Sequence, residues 1–193
     1  MICKPIMFNT DMVRAILAGQ KTQTRRVIKP QPTNPRWNNI GWLGWDDGHG
    51  YKMKSPCETG DVLWVRETWC KDASRYLYRA NYGENEHFYQ SGNEIAVPWH
   101  PSIHMPKQAA RIFLRVKEVR VEFLQDIKAD GISAEGITSI AATCGDMEIA
   151  LVEWKNLWNS TIKKADLQKY GWDSNPWVWV IEFERCEKPE GWN

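Results

Sequence analysis

The chain has 193 residues, 42% of them hydrophobic and 25% charged, and a net charge of +1. A soluble globular fold of this size stands without disulfides or a structural metal. The balance supplies no overall cationic field for nucleic acid. The five cysteines, Cys3, Cys57, Cys70, Cys144 and Cys186, are odd in number and widely spaced, as expected of reduced thiols in a cytoplasmic protein. No signal-like segment and no apolar run of membrane-spanning length is present, and the twelve tryptophans are the one unusual count.

In chain order, Lys4–Phe8 reads as a short strand. Asn9 or Thr10 caps a helix whose Met12, Val13, Ile16 and Leu17 recur at helical spacing, with Gly19 as its stop. Residues 22–28 read as a strand. Residues 31–57, rich in Gly, Asn, Asp and Trp, read as an aperiodic insertion, and Thr59-Gly60-Asp61 as a turn. Strands follow at 62–68 and 75–82, and residues 83–107 are loop-like, broken by Pro98, Pro101 and Pro106. Residues 111–123 alternate clearly, with a phase break at Lys117-Glu118 that predicts a bulge or bend. Short helical turns over 126–136 stop at Gly136. A helix over 147–162 is expected to bury Ile149, Leu151, Val152, Trp154, Leu157 and Trp158, and 177–183 is the last strand. Strands and helices do not alternate strictly, which argues against a doubly wound sheet. An α+β fold follows: a mostly antiparallel barrel with flanking helices, in one domain over 1–193, with insertions at about 31–57 and 70–107.

Lys21, Thr24, Arg25 and Arg26 crowd the exit of the Gly19 turn. They bring an amine, a hydroxyl and two guanidinium groups to one place. Residues 1–31 carry six cations against one acid, Asp11, so this end can face phosphate or present a solvated basic surface. Residues three apart on a regular strand point to opposite faces, so Lys21 meets Thr24 only if Lys21 lies in the turn or the backbone bends; Arg26 shares the face of Thr24. Glu67 is the next candidate, as an acid or acceptor, or else as the partner of Arg66 or Arg79. Trp64 and Trp69 flank it, to stack on a base or to fill the core. Trp37, Trp42 and Trp45 are stronger stacking candidates. His100 and His104 stand four apart, but Pro101 and Pro106 break any helix between them, so no metal site is expected; His104 lines the pocket or serves a loop. No cofactor signature is present.

Gly19, Lys21 and Arg26 resemble the signature of the ASCH domain, a family with a PUA-like β-barrel. Thr59-Gly60-Asp61-Val62-Leu63 and Val180-Ile181-Glu182-Phe183 resemble its later blocks. The runs 64–69, 102–106 and 175–180 resemble a phage and prophage branch. The resemblance spans nearly the whole chain. Small bacterial members remove the acetyl group from N(4)-acetylcytidine with a lysine, a threonine and a glutamate. By position this implies Lys21, Thr24 and, in the segment 127–135, Glu135 as the catalytic set. Arg25, Arg26, Glu67, Trp64, Trp69 and His104 would then bind substrate, without metal or cofactor. Other members bind or cleave RNA. The implied ligand is a modified nucleoside or RNA, with a protein partner on the aromatic loops as a further reading.

Overall fold

The computed structural model describes residues 3–32, 34–38, 41–46, 54–72, 75–83, 88–90, 93–137 and 146–192, with backbone only at 34–38, 41–46, 88–90 and 93–95. The elements run β1 (Cys3–Met7), α1 (Thr10–Leu17), β2 (Gln23–Val27), β3 (Asn34–Asn38), β4 (Gly41–Asp46), β5 (Val62–Arg66), β6 (Trp69–Asp72) and β7 (Arg75–Tyr78). They continue with β8 (Phe88–Gln90), β9 (Asn93–Ile95), β10 (Phe113–Phe123), α2 (Ala129–Ala134), α3 (Met147–Thr161), α4 (Leu167–Tyr170) and β11 (Trp177–Cys186). Five strands form one sheet in the order β1-β5-β10-β11-β2. β3 with β4, β6 with β7, and β8 with β9 form separate two-stranded pairs.

The α+β class is as expected. β1 pairs parallel to β5, whereas β10 on β5 and β11 on β2 are antiparallel. The described pairings give an open strand order, without the barrel-closing pair that the resemblance implies. No described helix is long and apolar enough to cross a membrane.

The chain divides into two compact units. The first comprises Met1–Gly19, Gly60–Arg115 and Glu184–Asn193. Its α1 starts at Asn9, whose side chain accepts from the Met12 amide at 2.8 Å, and buries Val13, Ala15 and Ile16. Gly19 follows with φ at +75°, a backbone angle that glycine adopts without strain. β5 is buried at four consecutive positions from Val62 to Val65, as a strand covered on both faces requires. Val62, Trp64, Phe113 and Trp192 form one apolar cluster of this unit. In the expected strand over 75–82 only Arg75–Tyr78 is extended, and a 3₁₀ turn follows at Arg79–Asn81.

The second unit comprises Gln20–Thr59 and Val116–Phe183. Leu124, Ile127, Ile132, Ala150, Trp154, Trp158, Val178 and Val180 make its larger core, and Ile28 with Trp179 a smaller one, against which Val119 and Val121 pack. The buried stripe of α3 is Ala150, Trp154 and Trp158, while Ile149 is 49% and Val152 54% exposed. The expectation placed those two residues inward. Spacings of four keep one helix face, and at about 100° per residue Ile149 and Val152 fall on the opposite one. The phase break in β10 appears as two consecutive exposed residues, Lys117 and Glu118. The insertion expected to be aperiodic contains the β3–β4 hairpin, with a register shift between Arg36 and Trp37. The side chains of Trp37, Trp42 and Trp45 lie outside the described residues.

Gly171 closes α4. Its N–H donates to the Leu167 carbonyl at 2.8 Å, and a Cβ there would lie 2.5 Å from that same oxygen. Gly171→Ala is expected to destabilise the protein by about 1–3 kcal/mol, read as a lower urea midpoint at unchanged slope, because the clashing atom is backbone.

Candidate functional site

Lys21 lies between the Gly19 turn and β2 and pairs across an isolated antiparallel bridge with Glu135. The Thr22 amide donates to the Ala134 carbonyl at 2.8 Å, and the Phe183 amide donates to the Thr22 carbonyl at 2.8 Å. Two backbone hydrogen bonds therefore fix the residue next to Lys21. Glu135 ends α2, with its amide bonded to the Gly131 and Ile132 carbonyls, and Gly136 at φ +90° turns the chain away. A helix end and a strand entry thus place one carboxylate opposite one amine.

The Lys21 ammonium donates to Glu135 Oε2 at 2.5 Å and to the Glu135 carbonyl at 2.9 Å. The other carboxylate oxygen, Oε1, accepts from Arg25 Nη1 at 3.1 Å. Arg25 also donates through Nε and Nη2 to Glu122 Oε1, at 2.9 and 2.6 Å, and lies 5.7 Å from the Trp154 ring centroid. Arg120 continues the series with Nε 3.6 Å from Glu122 Oε2. Side-chain exposure rises along this ladder, from 0% at Lys21 and 2% at Glu135 and Arg25 to 18% at Glu122 and 35% at Arg120. Gly131 leaves room for it: a Cβ there would meet Arg25 Nη2 at 3.0 Å.

Burial lowers the Lys21 pKa below its ordinary value. The charge and hydrogen bond of Glu135 oppose that shift, and the charges of Arg26 and Arg25 add to it. Burial likewise lowers Arg26, again against the pull of Glu135. A buried amine with a depressed pKa, held by a carboxylate, suits proton transfer.

Of the expected catalytic set, Lys21 and Glu135 meet. Thr24 is buried at 1% exposure opposite Ile181 on β11, and among the described residues its side chain hydrogen-bonds neither of them. Arg25, expected only as a substrate-binding residue, is the second group on Glu135. An even spacing puts Arg25 on the strand parity of Lys21 and Thr24 on the other, while Arg26, of that other parity, still lies within electrostatic reach of Lys21 and Glu135. The reading missed the direct Arg25–Glu135 bond and missed Glu122. The signal for both lay in the even step from Lys21 to Arg25 and in the alternation of β10.

Glu67, Trp64, Trp69 and His104 belong to the first unit. Glu67 is 1% exposed, and both of its oxygens accept from Arg111, at 2.8 and 2.9 Å. Its partner is neither Arg66 nor Arg79, and the bidentate pair leaves it little capacity to accept from a base. Trp64 is core, edge-on to Trp192 at 5.8 Å. Trp69 is half-buried, 5.0 Å from the ring of His100 and 5.7 Å from Tyr76. His104 is exposed on a 3₁₀ turn.

Glu135→Ala strands two buried cations and is expected to cost about 3–5 kcal/mol in chemical denaturation, more than Glu135→Gln, which keeps an acceptor. The depressed Lys21 pKa also has a signed consequence. Between its folded value and the unfolded value near 10.5, the unfolded chain binds the extra proton, so this residue makes stability rise with pH in that window. Lys21→Met is expected to remove that rise from the difference between the two proteins' urea midpoints; an unchanged pH slope refutes it.

No protein-family model matches the sequence, and no curated protein does. Three solved structures are similar to the chain over most of its length. Protein EF3133 from Enterococcus faecalis V583, of family model DUF984, shares 11% identity at a TM-score of 0.48, covering 96% of this chain and 81% of that one. An ASCH domain from Lactobacillus crispatus JV V101 shares 10% at 0.40, covering 95% and 79%. Hypothetical protein PH0355 shares 14% at 0.42, covering 96% and 100%. With every TM-score below 0.5, these are loose likenesses of chain course.

Proposed function

We propose that the chain is an ASCH-type, PUA-like protein, and that Lys21 and Glu135 form the proton-transfer centre of an amidohydrolase acting on an acylated pyrimidine nucleoside. The observation that carries this reading is the buried Lys21 amine, 2.5 Å from Glu135 Oε2, with its pKa lowered. In the neutral form the amine takes the proton of the Thr24 hydroxyl, and the alkoxide adds to the acyl carbonyl. Arg26 is the donor proposed for the oxyanion, through its planar fork. Collapse returns the proton from Lys21 to the departing exocyclic amine and leaves the acyl group on Thr24. Water, deprotonated by the same amine, then adds to the acyl carbon; collapse breaks the Thr24 ester bond, Lys21 returns the proton to the Thr24 oxygen, and the carboxylic acid leaves. Glu135 holds the amine in place and stabilises its ammonium form during each transfer. Thr24 must turn toward Lys21 when substrate binds, since the two are not bonded at rest.

The engaged Glu135 oxygens, and a Thr24 that among the described residues bonds neither Lys21 nor Glu135, favour a second reading, an RNA- or nucleotide-binding module without turnover. Binding would then weaken steeply with salt as phosphate contacts release counterions. An RNA-degradation assay in chelator separates a ribonuclease from both readings.

Purified protein is expected to deacetylate N(4)-acetylcytidine, with kcat/KM rising with pH toward a plateau whose midpoint lies below the ordinary lysine value. Lys21→Ala is expected to lower kcat by about 10²–10⁴-fold, the usual range for losing a general base. Thr24→Ala is expected to lower kcat with little change in KM. No turnover, or turnover indifferent to both substitutions, defeats the hydrolase reading, and salt-sensitive RNA binding in that case supports the second.

A further inference from the structure

The first unit contains a cavity of about 520 Å³ that the reading above does not use. Ala110, Phe113 and Cys186 form its apolar lining, and Arg111, Arg185, Glu187 and Lys188 its charged one. The volume falls in the range of small-molecule sites, roughly 300–1,000 Å³.

The charges differ in availability. Arg111 is fully committed: Nε and Nη2 bond Glu67, Nη1 bonds Asn81 Oδ1 at 2.8 Å, and the guanidinium lies 3.9 Å from the Tyr78 centroid. It is a rigid wall whose charge Glu67 answers. Arg185 and Lys188 are exposed, and the side-chain bond seen for Arg185 is a long one, 3.4 Å from Nη1 to the Leu17 carbonyl. Glu187 is the one carboxylate among the residues that line the cavity.

A second observation lies beside the apolar lining. Trp192 is 7% exposed and packs edge-on against Phe113 at 5.1 Å, in the same cluster as Ala110 and Cys186. Among the described residues its buried indole N–H has no hydrogen-bond partner. An orphaned buried donor is costly, and this one lies next to the apolar lining of the cavity.

We propose that this cavity binds a small phosphate monoester, with the phosphate between Arg185 and Lys188 and an apolar body over Ala110 and Phe113. Two exposed cations can each face one charged oxygen of a phosphate monoester, and the arginine fork suits phosphate oxygens. The apolar lining gives an ester an advantage over free phosphate. The site stands independently of the hydrolase reading, because its residues and Lys21 belong to different units.

The test titrates phenyl phosphate, inorganic phosphate and phenol into the full chain, followed by amide and indole N–H resonances. Phenyl phosphate is expected to saturate in the millimolar range or below and to shift the Trp192 indole signal, identified by its loss in Trp192→Phe. Inorganic phosphate should bind about tenfold more weakly, and phenol should not saturate. Arg185→Ala combined with Lys188→Ala should weaken phenyl phosphate at least about tenfold with the spectrum otherwise folded, whereas Lys21→Ala should leave it unchanged. Absence of saturation by phenyl phosphate, equal binding of phenol, or binding indifferent to the double substitution overturns the proposal.

Discussion

One carboxylate organises the second unit. Glu135 is 3% exposed, and its two oxygens are held by two different cations from the same stretch of chain, Lys21 and Arg25. Charges taken out of water cost several kcal/mol each, and they persist only where geometry and hydrogen bonding compensate. Here the compensation is nearly complete: the Lys21 ammonium also reaches the Glu135 carbonyl, and Arg25 spends its remaining donors on Glu122. Such a cluster tolerates little displacement, so the segments that carry it must be fixed independently. The backbone bonds of Thr22 to Ala134 and to Phe183 do this at the residue that follows Lys21.

The ladder from Lys21 to Arg120 also has a direction. Dielectric screening grows with exposure, so the pairs nearest the surface contribute little and the buried pair dominates. Arg25 is the joint between the two regimes. It is buried like Lys21 but donates to a carboxylate on β10 that reaches solvent, and it lies against Trp154 of the core. Core packing and site electrostatics therefore meet in one side chain. A change in the seating of α2 against Arg25, such as a side chain at Gly131 would bring, reaches the Glu135 carboxylate through that arginine.

The sequence disclosed those parts of this arrangement that local rules control. The Asn9 cap, the Gly19 stop, the alternation of β10 and the last strand all depend on neighbours a few residues away, and each appears where those rules put it. Pairing of Lys21 with Glu135, 114 residues apart, came from resemblance, since no local rule reaches that far. The β3–β4 hairpin was hidden because six of its eleven strand residues are Gly, Asn, Asp or Pro, which strand propensity counts against, and backbone pairing overrode it. Ile149 and Val152 misled because apolar residues on a helix were counted by type rather than by angle around the axis.

The strand period explains why Thr24 was harder to read than Lys21. Strand parity separates Thr24 from Lys21, and among the described residues the bonds of the Lys21 ammonium go to Glu135. A turn-borne Lys21 was allowed to escape it, but the bridge to Glu135 and the bond from Phe183 to Thr22 extend strand-like geometry back through residue 21. Lys21 therefore behaves as though it were two steps before Gln23 on the same strand, and Arg25 becomes its companion. Any chemistry that uses Thr24 must draw the hydroxyl across that parity. The energy for this has to come from substrate binding, since nothing in the resting network pulls Thr24 toward the amine.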